Sequence, residues 1–328
     1  MILLLTLIAI ALAFDFMNGR NDAANSIATI VSTRVLAPRY AVAWAAFFNF
    51  VAFLVFGLSV ASTIGKGIIS PDVITDHVIL GALVGAISWQ VLTGYFGIPS
   101  SSSHALIGGL VGAGVTQGGM QAIVWPGLGK TAGAIVLSPF TGLAIALLLV
   151  LLVSWGFVRV APSRADAIFR KVQFISASAY ALGHGGNDAQ KTMGIITALL
   201  YAHGELQGEF HVPFWIVLSC NGAMALGTLL GGWRIVRTMG SGITRLSPMQ
   251  GVCAETAGSI TLFMATGLGI PVSTTQTITG AIVGVGAAKR ASAVRWNVAR
   301  EIVIAWVITM PAAALIGAGV AWLSDFIW

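Results

Sequence analysis

The sequence predicts an all-α polytopic membrane protein made of two inverted-topology repeats, with broken helices and paired re-entrant helical hairpins. Three observations predict it: a composition too apolar for a soluble domain, an internal repeat that relates the two halves, and a loop charge pattern that reverses between them. Of 328 residues, 57% are hydrophobic, 9% are charged and 40 are glycine, against roughly 25% charged in soluble domains. The first apolar run, Met1 to Phe14, has no basic residue ahead of it and no small-residue cleavage site behind it, so it reads as a span and not as a removable signal. Cys220 and Cys253 lie in apolar stretches and read as small hydrophobes, not as a disulfide or a metal pair. The net charge of +6 sits in short loops with no soluble module to carry a basic surface. That excludes a nucleic-acid partner and makes the lipid bilayer the surroundings that the loops address.

The repeat is read by sliding the second half over the first. At an offset of 172, residues 97–104 (GIPSSSSH) fall on 269–276 (GIPVSTTQ), residues 108–114 on 280–286, Asn49 on Asn221 and Pro139 on Pro311. Over residues 97–114, eight of 18 positions are identical, where chance would give roughly one or two. Upstream, Gly19-Arg20-Asn21-Asp22-Ala23 matches Gly185-Gly186-Asn187-Asp188-Ala189 at an offset of 166. About six residues are therefore inserted in the second copy, most simply around His203 to His211. The expected organisation is a first repeat over 1–158, a basic cytoplasmic linker over 159–171 and a second repeat over 172–328.

Loop charge sets the relative orientation of the copies. After the first Asn-Asp segment come Arg34 and Arg39, and the next loop holds Lys66 against Asp72 and Asp76. The second copy reverses this, with Glu205 and Glu209 first and then Arg234, Arg237 and Arg245. Under the positive-inside rule the copies insert oppositely. The N-terminus is then expected outside the plasma (inner) membrane, and the linker (Arg159, Arg164, Arg170, Lys171) on the cytoplasmic side with Lys289, Arg290, Arg295 and Arg300. Inverted repeats with discontinuous helices around a midplane site are the signature of a secondary transporter.

Two features mark that site. An ionised Asp at bilayer depth costs at least ~2.5–3.5 kcal/mol, so Asp22 and Asp188 are expected to face an ion, a partner or a cavity. Glycine with Asn-Asp competes for backbone hydrogen bonds, so the segments Leu3–Val35 and Val172–Ala202 are expected to break near their middles. The second feature is Gly-Ile-Pro followed by hydroxyl residues, expected as re-entrant tips joining helices of about 77–96 and 104–117, and again about 249–268 and 276–288. Helix N-termini opening with Ser or Thr offer N–H groups, hydroxyls and the positive end of the macrodipole, which suits an oxyanion. Asp22, Asp188, Asn21, Asn25, Asn187 and hydroxyl oxygens are hard ligands suited to a small cation. The pattern fits cotransport of an anion with a cation.

With these motifs the chain resembles the PiT family of inorganic phosphate transporters over nearly its whole length. The resemblance implies sodium- or proton-coupled phosphate uptake, an inverted-repeat fold, re-entrant hairpins and a homodimer; the long soluble loop between the halves of some members is absent. The expected phosphate ligands are Asn21, Asn187, Ser101, Ser102, Ser103, Ser273, Thr274, Thr275 and Gln276. The expected sodium ligands are Asp22, Asn25, Asp188 and Glu255, an intramembrane acid that stands where the first copy has Leu83 and that reads equally as a structural ion pair. Sodium is the preferred driver, because a proton needs only one carboxylate whereas this set also supplies amide and hydroxyl oxygens. A proton-coupled phosphate or sulfate permease is the alternative, and no cofactor beyond the co-transported ion is expected.

Arg20 and Lys191 are expected to pair with carboxylates, His104 to be a packed hydrogen-bonding residue, and Asn49 and Asn221 to bond between helices. A membrane-embedded phosphoester enzyme is the alternative of another class. Residues 127–133 (GLGKTAG) lack the first glycine of a phosphate-binding loop, Val124 standing in its place, and Gln190 precedes Lys191-Thr192 where glycine is needed. No paired nucleophile and base, and no His/Cys spacing for a metal, supports it.

Overall fold

The structure is a computed structural model and describes residues 1–327. Among these residues it forms twelve α-helices, and the second six repeat the order of the first six. In the first half a long helix, α1 (Ile2–Ser32), is followed by a bent pair, α2 (Pro38–Val51) and α3 (Ser59–Gly67). A hairpin of α4 (Asp76–Phe96) and α5 (Ser102–Gly118) and an outer helix α6 (Trp125–Gly156) complete it. The second half runs α7 (Pro162–Ala202), the bent pair α8 (Phe214–Leu230) and α9 (Trp233–Arg237), the hairpin α10 (Pro248–Gly267) and α11 (Thr274–Lys289), and the outer helix α12 (Trp296–Ser324). The bends are 81° and 66°; among the described residues four helices are long and apolar enough to cross a membrane, or up to six if each bent pair is one span. Trp328, the last residue of the expected second repeat, lies outside the described residues.

One expectation is corrected here. Helices α1 and α7 run unbroken through Asn21-Asp22 and Asn187-Asp188. The breaks lie instead within the bent pairs and at the hairpin tips. The physical reason is that the Asn and Asp side chains find partners on other helices, so they do not compete for their own backbone. The neighbouring glycines serve close packing: a β-carbon at Gly19 would lie 2.0 Å from the Met224 carbonyl oxygen of α8, and one at Gly185 would lie 2.5 Å from that of Asn49 of α2. The segment expected as the basic linker is largely helical. Residues 162–171 are the first turns of α7, opened by Pro162 at its first position, which leaves 159–161 outside helix. Proline suits that position because its missing N–H would be unpaired anyway.

The halves interlock by exchanging hairpins. Helices α4 and α5 pack on α12, whereas α10 and α11 pack on α6. Glycines permit the approach: a β-carbon at Gly108 would sit 2.4 Å from the Met310 carbonyl oxygen, and one at the equivalent Gly280 2.1 Å from that of Pro139. Gly280→Ala must therefore part α11 from α6, and it is expected to destabilise the protein by about 1–3 kcal/mol. Gly133→Ala, which meets nothing within 4 Å, is the control; thermal unfolding of the two purified variants compares them.

The outer helices turn Leu137, Phe140, Leu148 and Leu151 of α6, and Val307 and Leu315 of α12, outward. Exposed tryptophans stand near both ends of each, Trp125 and Trp155 on α6 and Trp296 and Trp322 on α12. At 1.5 Å per residue these pairs lie ~40–45 Å apart, the thickness of a bilayer with its interfaces.

Charge separates along the helices. At one end Arg170 donates to the Arg34 carbonyl (3.2 Å) and pairs with Asp166, Arg295 donates to the Ser241 carbonyl (3.4 Å), and Gly240 packs against Ala28 and Ser32 of α1. At the other end Asp76 meets His203 at 2.7 Å and Lys66 lies over the Phe210 ring. The C-terminus of α1 is at the first end and that of α7 at the second, so these equivalent helices run in opposite directions.

Candidate functional site

The site begins with two helix stops. Helix α4 ends at Gly97 (φ +70°), and the turn before Ile270 is made by Gly269 (φ +66°), in the left-handed region where glycine has no β-carbon clash. Each chain segment then re-enters helix after Gly-Ile-Pro. The Ser101 hydroxyl caps α5 by accepting from the His104 N–H, and Ser273 caps α11 by accepting from the Gln276 N–H, both at 3.2 Å. These two hydroxyls thus have the structural role open to any serine at such a place. Ser102, Ser103, Thr274 and Thr275 are free of that duty and turn elsewhere.

The tips meet inside the protein, with residues 100–104 and 272–276 all less than 9% exposed. Ser103 donates to the Val272 carbonyl (2.9 Å), Thr275 to the Ser100 carbonyl (3.4 Å), and Gln276 lies 3.4 Å from His104. A turn lying in water between two full spans is thereby excluded, and the tips are re-entrant within the protein.

Both carboxylates are brought to this junction. Asp22 Oδ2 accepts from Ser102 (2.9 Å) and Oδ1 from Thr275 (3.3 Å). Asp188 Oδ2 accepts from Thr274 (2.8 Å) and meets His184 Nε2 at 3.1 Å. One ligand atom each from Asp22, Asp188 and His184 falls within 4.8 Å of the others. Lys191, buried to 1% exposure, pairs with Asp188 Oδ1 and also donates to the Ser103 hydroxyl and the Val272 carbonyl. Its expected carboxylate pairing is present. Arg20 departs from the same expectation: it is exposed and makes no ion pair among the described residues, because it lies on the opposite side of α1 from the site.

Asn25 directs its amide N–H groups at Thr274 (3.3 Å) and Thr275 (3.0 Å). Among the described residues its buried carbonyl oxygen has no hydrogen-bond partner. Asn21 and Asn187 are differently placed. Asn21 donates to the Gln90 carbonyl of α4 (2.8 Å), and Asn187 donates to Thr266 (3.0 Å) and to the Ile270 carbonyl (3.3 Å) while accepting from the Val272 N–H (3.2 Å). Their amides hold the hairpins in place.

Glu255 sits apart from this junction. Its buried carboxylate accepts from Thr29 (2.6 Å), Gln173 (2.9 Å) and Ser176, so these partners are neutral and it makes no ion pair among the described residues. At the matching places of the other half stand Leu83, Ile195, Leu7 and Ile10. Asn49 bonds Thr228 of α8 (3.1 Å), an interhelical bond as expected, whereas Asn221 donates to the Val217 carbonyl of its own helix (2.9 Å).

Sequence reasoning missed three residues. His184 bridges Asp188 to Ser26 (3.1 Å) and Asn49 (3.3 Å); its signal was a histidine one turn before the acid on an apolar helix. Tyr180, another turn earlier, donates to the Thr274 carbonyl (3.0 Å). Asp15 is fully buried, and it precedes Asp22 by seven residues, which is two turns along one helix face.

Comparison with known proteins gives the family and the fold. The profile of the Phosphate transporter family matches residues 18–317. A Rhizobium meliloti protein described as a probable low-affinity inorganic phosphate transporter is 68% identical over 325 residues, covering 99% of this chain and 97% of the relative. A Bacillus subtilis protein of the same description is 42% identical over 320 residues, covering 97% and 96%. A solved structure described as a sodium-dependent phosphate transporter superposes with a TM-score of 0.91 at 24% identity over the whole of both chains, which establishes the shared fold.

Proposed function

The chain belongs to the Phosphate transporter family, a family of membrane transporters and not of enzymes, and from that premise we propose that it imports inorganic phosphate by symport with sodium. Phosphate is held where the N-termini of α5 and α11 converge, by Ser101, Ser102, Ser103, Ser273, Thr274, Thr275 and Gln276. Hydroxyls and the N–H groups of a helix start suit an oxyanion without a full positive charge at each contact. Asn21 and Asn187 serve this site by fixing the tips. Sodium is drawn to the junction of the paired carboxylates Asp22 and Asp188, with Asn25 beside Asp22, and a further cation position lies at Glu255 among its hydroxyl and amide donors.

The observation that carries this reading is the junction itself: two capped helix starts, one from each half, close on two buried carboxylates. Sodium is supported by the unpartnered carbonyl oxygen of Asn25, a hard neutral ligand that a proton does not need, and by the sodium dependence ascribed to the solved relative. The halves act as inverted repeats, 1–158 and 172–328, joined by a basic segment at 159–171 that faces the cytoplasm of the plasma (inner) membrane and leaves the N-terminus outside. The antiparallel course of α1 and α7 and the gathering of basic residues at one end support that placement. Alternating access consists of the two hairpins rocking about the fixed carboxylates, and two copies of the chain form a homodimer.

Substrate choice follows from the proton on phosphate. Hydrogen phosphate retains a donor for a carboxylate, whereas sulfate offers only acceptors and leaves that carboxylate facing unpaired oxygens. In competition for uptake of labelled phosphate, excess sulfate is expected to compete far less than unlabelled phosphate does. Equal suppression by sulfate would recast the chain as a general oxyanion carrier.

A further inference from the structure

The two halves differ at one place in the site, and the difference is a charge. The offset that puts Asp22 on Asp188 puts Asn25 on Lys191. Lys191 Nζ touches three oxygens, Asp188 Oδ1, Ser103 Oγ and the Val272 carbonyl. The hairpin offset of 172 maps Ser103 to Thr275 and Val272 to Ser100, so the matching oxygens in the other half are Asp22 Oδ1, Thr275 Oγ1 and the Ser100 carbonyl. These three also cluster: Thr275 Oγ1 lies 3.3 Å from Asp22 Oδ1 and 3.4 Å from the Ser100 carbonyl. The remaining hydroxyl contacts match as well, Ser102 to Asp22 at 2.9 Å and Thr274 to Asp188 at 2.8 Å. One oxygen cluster thus has an ammonium among its members. The other has a neutral amide beside it, whose carbonyl oxygen has no hydrogen-bond partner among the described residues.

We propose that Lys191 is a tethered cation that permanently fills one of two equivalent sodium positions, leaving the mobile sodium to the Asp22, Asn25, Thr275 and Ser100 oxygens. Two carboxylates and His184 draw within 4.8 Å of one another, and a single ammonium does not balance the pair. A fixed charge on one side and an exchangeable one on the other balances it, and it lowers by one the number of sodium ions that this junction carries per phosphate. The proposal rests on the reading above only in naming sodium as the exchangeable ion.

The substitution Lys191→Asn gives the second half the ligand of the first and opens the second position, whereas Lys191→Met removes the ammonium without supplying an oxygen. Equilibrium binding of radiolabelled sodium to the purified full-length protein, without phosphate, is expected to show about one more sodium per chain in Lys191→Asn than in Lys191→Met. Thermal stability of Lys191→Asn is expected to rise with sodium more steeply than that of wild type, while Lys191→Met gains no such extra dependence, because an ion that binds only the folded state stabilises it by mass action. The converse variant, Asn25→Lys, places an ammonium at the first position and is expected to lose one bound sodium per chain, which keeps the proposal testable if Lys191→Asn does not fold. Equal sodium binding and equal stabilisation in Lys191→Asn and Lys191→Met would overturn it, as would an Asn25→Lys protein that keeps its full complement of sodium. A wild type that binds no sodium at this junction beside a Lys191→Asn protein that does would instead overturn sodium coupling and leave the tethered-cation assignment standing.

Discussion

Asp22→Asn is expected to abolish sodium activation of phosphate uptake while leaving the protein folded. Asp188 has Lys191 and His184 as partners, but among the described residues Asp22 has only the neutral hydroxyls of Ser102 and Thr275. Asparagine keeps the shape and one accepting oxygen, so the hairpin contacts survive. What goes is the carboxylate charge that no ammonium pairs with, beside Asn25. Interactions with a charged group are worth about 1.5–3 kcal/mol each, which is roughly ten- to a hundredfold in sodium affinity for each one lost. Initial rates of labelled phosphate uptake at increasing sodium measure this directly, and a sodium dependence equal to that of wild type removes Asp22 from the mechanism.

Asp188→Asn is expected to act first on stability. It strands the Lys191 ammonium at 1% exposure with only the Ser103 hydroxyl and the Val272 carbonyl as acceptors. Breaking a buried pair from one side costs about 3–5 kcal/mol, because an uncompensated charge remains. The double variant Asp188→Asn with Lys191→Met removes both charges and is expected to recover most of that loss, yet to remain inactive in uptake. Denaturation of the three purified proteins tests the pair. A single variant as stable as wild type shows that Lys191 finds its balance elsewhere.

Much of this site is legible in the sequence, for a physical reason. Carboxylates in apolar runs are costly enough that Asp22 and Asp188 mark themselves, and Gly-Ile-Pro before a string of hydroxyls announces a helix stop and a new helix start. The offset of 172 then pairs Ser101 with Ser273 without any structural information. Continuity of α1 and α7 is not legible. Whether an Asn-Asp pair breaks a helix depends on whether its side chains find partners on other helices, and Gln90, Ser102, Thr266 and Thr274 lie far from them along the chain. His184 and Tyr180 are hidden for the same reason, since each gains its role only from contacts with Asn49, Ser26 and Thr274. The basic segment after Arg159 reads as a linker because charge in a membrane protein signals the interface, but charge does not decide whether that interface is helical, and Pro162 starts α7 there.

Reconstitution into liposomes tests the central claim most directly. Phosphate uptake is measured with an inward sodium gradient at constant pH, and separately with an inward proton gradient in the absence of sodium. Sodium-coupled symport through the Asp22 site predicts phosphate accumulation above its equilibrium level with the sodium gradient and none with the proton gradient alone. Accumulation with only the proton gradient contradicts it.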